Sequence, residues 1–121
     1  MRPWGMTTAG QLPIRDLQAC CAPITREPIE AGNAQSLARS LKALADPARL
    51  RLVSMVAAHE YGEACVCDLT EPLNLSQSTV SHHLKILTDA GYLTSSKRGT
   101  WHYYRLVPGT LEAVAALIAA V

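Results

Sequence analysis

Leu75-Ser76-Gln77-Ser78-Thr79-Val80-Ser81-His82-His83-Leu84-Lys85-Ile86-Leu87 reads as a helix with two unlike faces. Val80, Leu84 and Leu87 stand at i, i+4 and i+7, one apolar stripe of a 3.6-residue period. Gln77, Ser78, Thr79, Ser81, His82 and Lys85 occupy the other side, short hydrogen-bonding groups and a cation. The Ser76 hydroxyl can accept from the orphan amides of the first turn, which makes it the predicted N-cap. Gly91 stands where a C′ glycine belongs. Side chains of this kind near a helix N-terminus can reach base edges in a major groove while backbone amides meet phosphate. Many amphipathic helices merely face water, so the flanking sequence has to decide.

Just upstream, Val66 to Leu73 is predicted as a short helix, followed by a turn at Asn74-Leu75. Two short helices joined by a tight turn make a helix-turn-helix. Just downstream, the period changes to that of strands. Tyr92–Lys97 and Trp101–Leu106 are extended runs joined around Arg98-Gly99, where Gly99 supplies the positive φ of a hairpin turn. A β-hairpin with a basic tip after a recognition helix makes a winged helix.

Further out, Leu37, Leu41 and Leu44 form a helical stripe with Asn33 as its predicted cap. Asp46 caps the next helix with Pro47 at N1. Leu50, Val53, Val56 and Ala57 are predicted to face the core there, Arg49 and Arg51 to face solvent or phosphate, and Tyr61-Gly62 to close the helix. Residues 1–32 form an arm interrupted by Pro3, Pro13, Pro23 and Pro28, with a short helix predicted from Ile14 to Cys20 and the adjacent pair Cys20-Cys21. Residues 108–121 carry a last helix on which Leu111, Val114, Leu117, Ile118 and Val121 align and Glu112 is the one charge. So apolar a helix is expected to be buried against a second subunit. A two-fold dimer presents two recognition helices to the half-sites of a palindrome. The predicted fold is mainly α with a β-hairpin wing, a homodimeric winged helix-turn-helix. Residues 33–107 are its DNA-binding domain and 108–121 its dimerisation helix.

The 121 residues suffice for one domain with a core, 49% hydrophobic and without Phe, hence built of Leu, Val and Ala. A net charge of +1 says nothing for nucleic acid. Locally, however, Lys85, Lys97, Arg98 and Arg105 face one acid, Asp89, over residues 76–105, whereas Glu63, Asp68 and Glu71 make 63–73 acidic. Met1–Gln11 lacks the pattern of a signal peptide and Ala113–Val121 is too short to span a bilayer, so a cytoplasmic protein without a membrane partner is expected. Four cysteines in that setting point away from structural disulfides, toward metal binding or redox chemistry.

Leu41-Lys42-Ala43-Leu44-Ala45-Asp46-Pro47-Ala48-Arg49-Leu50-Arg51-Leu52, Ser76-Gln77-Ser78-Thr79-Val80-Ser81-His82-His83-Leu84 and Ala90-Gly91 together resemble the ArsR/SmtB family of metal-sensing winged-helix repressors, over roughly residues 33–107. The resemblance implies a homodimer that represses its own operon when apo and leaves DNA when an inducer binds. Ala64-Cys65-Val66-Cys67-Asp68-Leu69 looks like the segment by which arsenic-responsive members bind As(III) or Sb(III). Some members have a further cysteine just after the Asp-Leu; here that place is Thr70. Cadmium and lead sensors of the family use an N-terminal cysteine arm, which makes Cys20 and Cys21 the expected donors beside Cys65 and Cys67. The family's zinc site on the terminal helix uses Asp, His and Glu, and residues 110–121 hold no His, Cys or Asp.

As(III) takes three thiolates in a pyramid, a soft centre on soft ligands. Two sulfurs two residues apart on a helix point roughly 200° apart around its axis. One ion is therefore better served if Cys65 lies in the extended lead-in. His59 is a spare ligand or a solvated helix end; His102 is structural or near phosphate; His82 or His83 touches DNA or packs beneath it. Bases are expected to be read by Gln77, Ser78, Thr79, Ser81 and His82. Lys85, Lys97, Arg98 and Thr100 are expected to hold phosphates, Arg98 alternatively entering the minor groove. Loss of Arg98 is expected to weaken binding and lower its salt slope by about one. Within the same fold a Cd(II), Pb(II) or Zn(II) sensor, a thiol-redox repressor and a metal-independent repressor remain alternatives. A thiol enzyme lacks support, since there is no Cys-x-x-Cys and no α/β pattern around the thiols.

Overall fold

In the computed structural model, which describes residues 14–119, ten elements follow one another. They are α1 (Ile14–Cys20), α2 (Ala31–Leu44), α3 (Pro47–Ala58), a 3₁₀ turn (Glu60–Gly62), β1 (Glu63–Cys65), α4 (Val66–Leu73), α5 (Gln77–Asp89), β2 (Leu93–Arg98), β3 (Trp101–Leu106) and α6 (Thr110–Ile118). Contacts divide them into two units, one of residues 43–108 and one of the residues before and after that range.

In the 43–108 unit, caps set the helix boundaries. Asp46 Oδ2 accepts the Ala48 and Arg49 amides at 2.9 and 3.2 Å, and Pro47 follows at N1. Pro72 lacks an N–H for the carbonyl one turn back, and α4 ends at the next residue with Asn74 left-handed at φ 55°. Ser76 accepts the Thr79 amide at 3.2 Å and opens α5. At its far end Tyr92 N–H reaches Leu87 O and Gly91 N–H reaches Thr88 O, both at 3.0 Å, with Gly91 at φ 90°. That is a Schellman motif, and it turns the chain into the wing. The hairpin pairs Arg98 with Trp101 across Gly99-Thr100, Gly99 standing at φ 65°.

The core of this unit lies where α3, α4 and α5 meet the sheet. Leu52, Val53 and Val56 come from α3, Val66, Leu69 and Leu73 from α4, and Val80, Leu84 and Leu87 from α5, all buried. Burying each Leu fully contributes about 1.5–3 kcal/mol. The sheet order is β1-β3-β2, antiparallel throughout. Strand β1 is not foreseen by the sequence reading; it pairs Glu63 with Arg105, Ala64 with Tyr104 and Cys65 with Tyr103.

Three local expectations are corrected. Helix α2 begins at Ala31, so Asn33 lies inside it and caps nothing. The core face of α3 is centred on Leu52, Val53 and Val56, leaving Leu50 54% exposed and Ala57 exposed. Arg49 is half-buried and tied to the protein, whereas Arg51 is exposed as expected. Arg49 Nε donates to Ala43 O at 2.6 Å and Arg51 Nη2 to Pro72 O at 3.4 Å.

In the other unit α1 packs against α6. Ile14 and Leu17 are buried, as are Ala113, Val114 and Leu117, and Ile24 N–H donates to Leu117 O at 2.8 Å. The apolar face expected to seek a second subunit is thus partly covered by α1 of the same chain; Val121 lies outside the described residues. No described helix is long and apolar enough to cross a membrane.

Candidate DNA interface and thiol site

Helix α5 buries its stripe and presents Gln77, Ser78, Thr79, His82 and Lys85 to solvent, with Ser81 half-buried. Its N-terminal hydroxyls are joined. Ser76 Oγ donates to Thr79 Oγ1 at 2.8 Å and lies 3.2 Å from Ser78 Oγ. Lys85 pairs with Asp89 at 3.3 Å, an exposed i,i+4 contact of little energetic weight. His83 lies beneath this face, its Nδ1 3.1 Å from Arg49 Nη1. Because guanidinium only donates, Nδ1 must be the accepting nitrogen. The amides of Arg49 and Ala48 hold the Asp46 carboxyl below its ordinary pKa. Asp46, Arg49 and His83 thus link the start of α3 to the middle of α5.

On the wing, Lys97 and Thr100 are exposed, as expected. Arg98 is held within the protein. Its Nη1 and Nη2 donate to Glu63 Oε1 and Oε2 at 2.8 and 2.6 Å, and its guanidinium lies 4.6 Å from the Tyr103 ring centroid. Arg105 Nη2 is 3.5 Å from the same carboxylate. The Arg98 hydrogen bonds, helped by the charges of Arg98 and Arg105, hold the Glu63 carboxyl below its ordinary pKa. The Glu63–Arg98 contact escaped the sequence reading because it spans 35 positions and arises from a strand of three residues.

The thiol-bearing turn is built by β1 and α4. Cys65 is extended, at φ −85° and ψ 158°, and is at once the last residue of β1 and the N-cap of α4. This is the extended lead-in position that the sequence reading asked for. Its Sγ accepts the Cys67 amide at 3.1 Å, and Asp68 Oδ2 accepts the Cys65 amide at 3.1 Å, a reciprocal cap. Cys65 is 3% exposed, whereas Cys67 and Asp68 are open to solvent. The sulfurs are joined in a disulfide with the Cα atoms 5.3 Å apart, where thiols are expected from the sequence. Two electrons and two protons return them to thiols. Sulfur and carboxylate oxygen of Cys65, Cys67 and Asp68 all lie within 4.8 Å of one another. His59 Nε2 stands 3.5 Å from Asp68 Oδ2. Thr70, at the place of a third cysteine, donates its hydroxyl to Val66 O at 2.7 Å.

Cys21, disulfide-bonded like Cys65 and Cys67 where a thiol is expected from the sequence, belongs to the other unit, half-buried, its Sγ accepting from Asn33 Nδ2 at 3.4 Å. The side chain of Cys20 lies outside the described residues. The two halves of the expected ligand set therefore fall in separate units.

The family model described as a bacterial regulatory protein of the arsR family matches residues 46–95. An uncharacterized HTH-type transcriptional regulator of Methanocaldococcus jannaschii is 37% identical over 84 residues, 69% of this chain and 92% of that one. The arsenical resistance operon repressor of Bacillus subtilis is 48% identical over 68 residues, 56% of this chain. The chain spans 63% of that repressor's length, just under two thirds. Among solved structures, the AntR antimony-specific transcriptional repressor superposes with a TM-score of 0.63 at 31% identity, covering 74% of this chain and 80% of that one.

Proposed function

Since this chain belongs to the arsR family of bacterial regulatory proteins, DNA-binding regulators and not enzymes, we propose that it represses transcription as an apo dimer on operator DNA and is released when As(III) or Sb(III) binds its cysteine thiolates. The observation that carries this is the position of Cys65, whose sulfur caps the first helix of the DNA-reading pair.

Gln77, Ser78, Thr79, Ser81 and His82 read bases, and Lys85, Lys97, Arg98 and Thr100 hold phosphates. Once reduced, Cys65 and Cys67 supply two thiolates, favoured by the Cys67 amide aimed at Cys65 Sγ. Thr70 cannot add a third, so Cys20 or Cys21 of the arm completes a three-sulfur set, within one chain or across the dimer. Drawing the Cys65 sulfur into a metalloid pyramid removes the cap of α4. Because α4 packs on α5, the disturbance passes to the recognition helix. A coupling of a few kcal/mol suffices for strong derepression.

A specific observation favours a second reading. Cys65, Cys67 and Asp68 with His59 beside them make a set of sulfur, oxygen and nitrogen donors. Zn(II) or Cd(II) takes such a set more readily than As(III) does.

Fluorescence anisotropy of the reduced protein on its own promoter DNA separates the readings. Arsenite, antimonite, cadmium, lead and zinc are titrated into wild type, Cys20→Ser/Cys21→Ser and Cys65→Ser/Cys67→Ser. Release by arsenite or antimonite that both pairs of substitutions abolish is the expected result. Release by zinc or cadmium alone, surviving loss of the arm cysteines, replaces the inducer. Release by peroxide and by no ion overturns the metal site.

A further inference from the structure

We propose that Glu63 is a built-in competitor of DNA phosphate for the wing arginine Arg98. The inference rests on the proposed reading of the wing as a DNA-binding element.

Glu63 meets Arg98 with both carboxylate oxygens, at 2.8 and 2.6 Å. A guanidinium offers the same fork to two oxygens of a phosphate, so carboxylate and phosphate are alternative partners for one edge of Arg98. The carboxylate side chain is 17% exposed while the Arg98 side chain is 56% exposed. The anion is the fixed member of the pair and the cation the one that can leave. Tyr103 supports the guanidinium from one side. Arg105 approaches the same carboxylate, so that Glu63 offsets charge on two of the cations of a basic wing.

Strand β1 places this contact beside the thiol-bearing turn. Glu63 lies two residues before Cys65, and Cys65 is paired in register with Tyr103, the residue whose ring carries Arg98. Resting protein keeps Arg98 clasped. DNA binding exchanges carboxylate for phosphate and leaves Glu63 beside an anionic backbone, a penalty on affinity. Removing the negative charge at position 63 therefore strengthens DNA binding.

The test is anisotropy of the full-length reduced protein on promoter DNA over a series of salt concentrations. It compares wild type, Glu63→Gln, Glu63→Asp, Arg98→Ala and the Glu63→Gln/Arg98→Ala pair, each checked for native circular dichroism. Glu63→Gln is expected to bind several-fold tighter, with a salt slope steeper by about one. Glu63→Asp, charged but one methylene shorter, falls between it and wild type, and keeps the test alive if the glutamine variant does not fold. In the Arg98→Ala background the Glu63→Gln gain disappears, as a double-mutant cycle requires for a direct pair. If wild type binds and neither substitution at Glu63 strengthens binding, or the gain persists without Arg98, the competitor role is overturned while the DNA-binding reading stands. If wild type does not bind promoter DNA at all, both fall.

Discussion

Asp46 shows how much one side chain can settle. Its carboxylate caps α3 through the Arg49 and Ala48 amides, and those amides, the first most strongly, lower its pKa from the ordinary 3.8. A carboxyl depressed in the folded state stabilises it above the unfolded pKa and loses that contribution as pH falls through the folded value. Asp46→Asn keeps a capping oxygen and removes the charge. The thermal midpoint of wild type should therefore exceed that of Asp46→Asn by a constant margin from pH 7 to pH 5. The margin should shrink below 3.8; one that widens in acid would contradict the assignment. Asp46 was legible in advance because a cap acts on residues two and three positions away. Glu63 was not, because its partner Arg98 is 35 positions away and nothing local marks the pair.

Among the elements, α5 has both of its ends chemically specified. Ser76 closes the N-terminus and the Gly91 Schellman turn closes the C-terminus. Ser76→Ala should cost about 1 kcal/mol of stability. Gly91→Ala, which meets no neighbour within 4 Å but must adopt φ +90°, should cost about 1–2 kcal/mol through backbone strain alone. Urea midpoints measure both, and unchanged midpoints would mean the caps do not hold the recognition helix. At this scale the sequence was informative wherever a period or a cap signal ran over several residues. The bounds of α1, α4 and β3 agree with the expectation. It misled at α2, where Asn33 resembles a cap yet Ala31 already lies in the helix. On α3 the stripe was read slightly off its true centre, leaving Leu50 outside.

For the whole molecule, the meeting point of α3, α4 and α5 carries stability and positions the site together. Leu84 has no exposed surface there. Leu84→Ala should cost about 2–5 kcal/mol in urea unfolding and weaken DNA binding, because the cavity loosens the seat of the recognition helix. A loss under 1 kcal/mol would show that the helix is not seated on this core. What the sequence by itself determined are the features written in short-range code. The helix-turn-helix, the hairpin and its Gly99 turn, and the caps at Asp46 and Ser76 all depend on neighbours within a turn or two. Only the tertiary structure decided that Glu63-Ala64-Cys65 becomes a third strand, that Glu63 clasps Arg98, that Arg49 supports His83, and that α1 covers part of α6. Each of these joins groups far apart in the chain, and no local pattern of residues marks such a pairing.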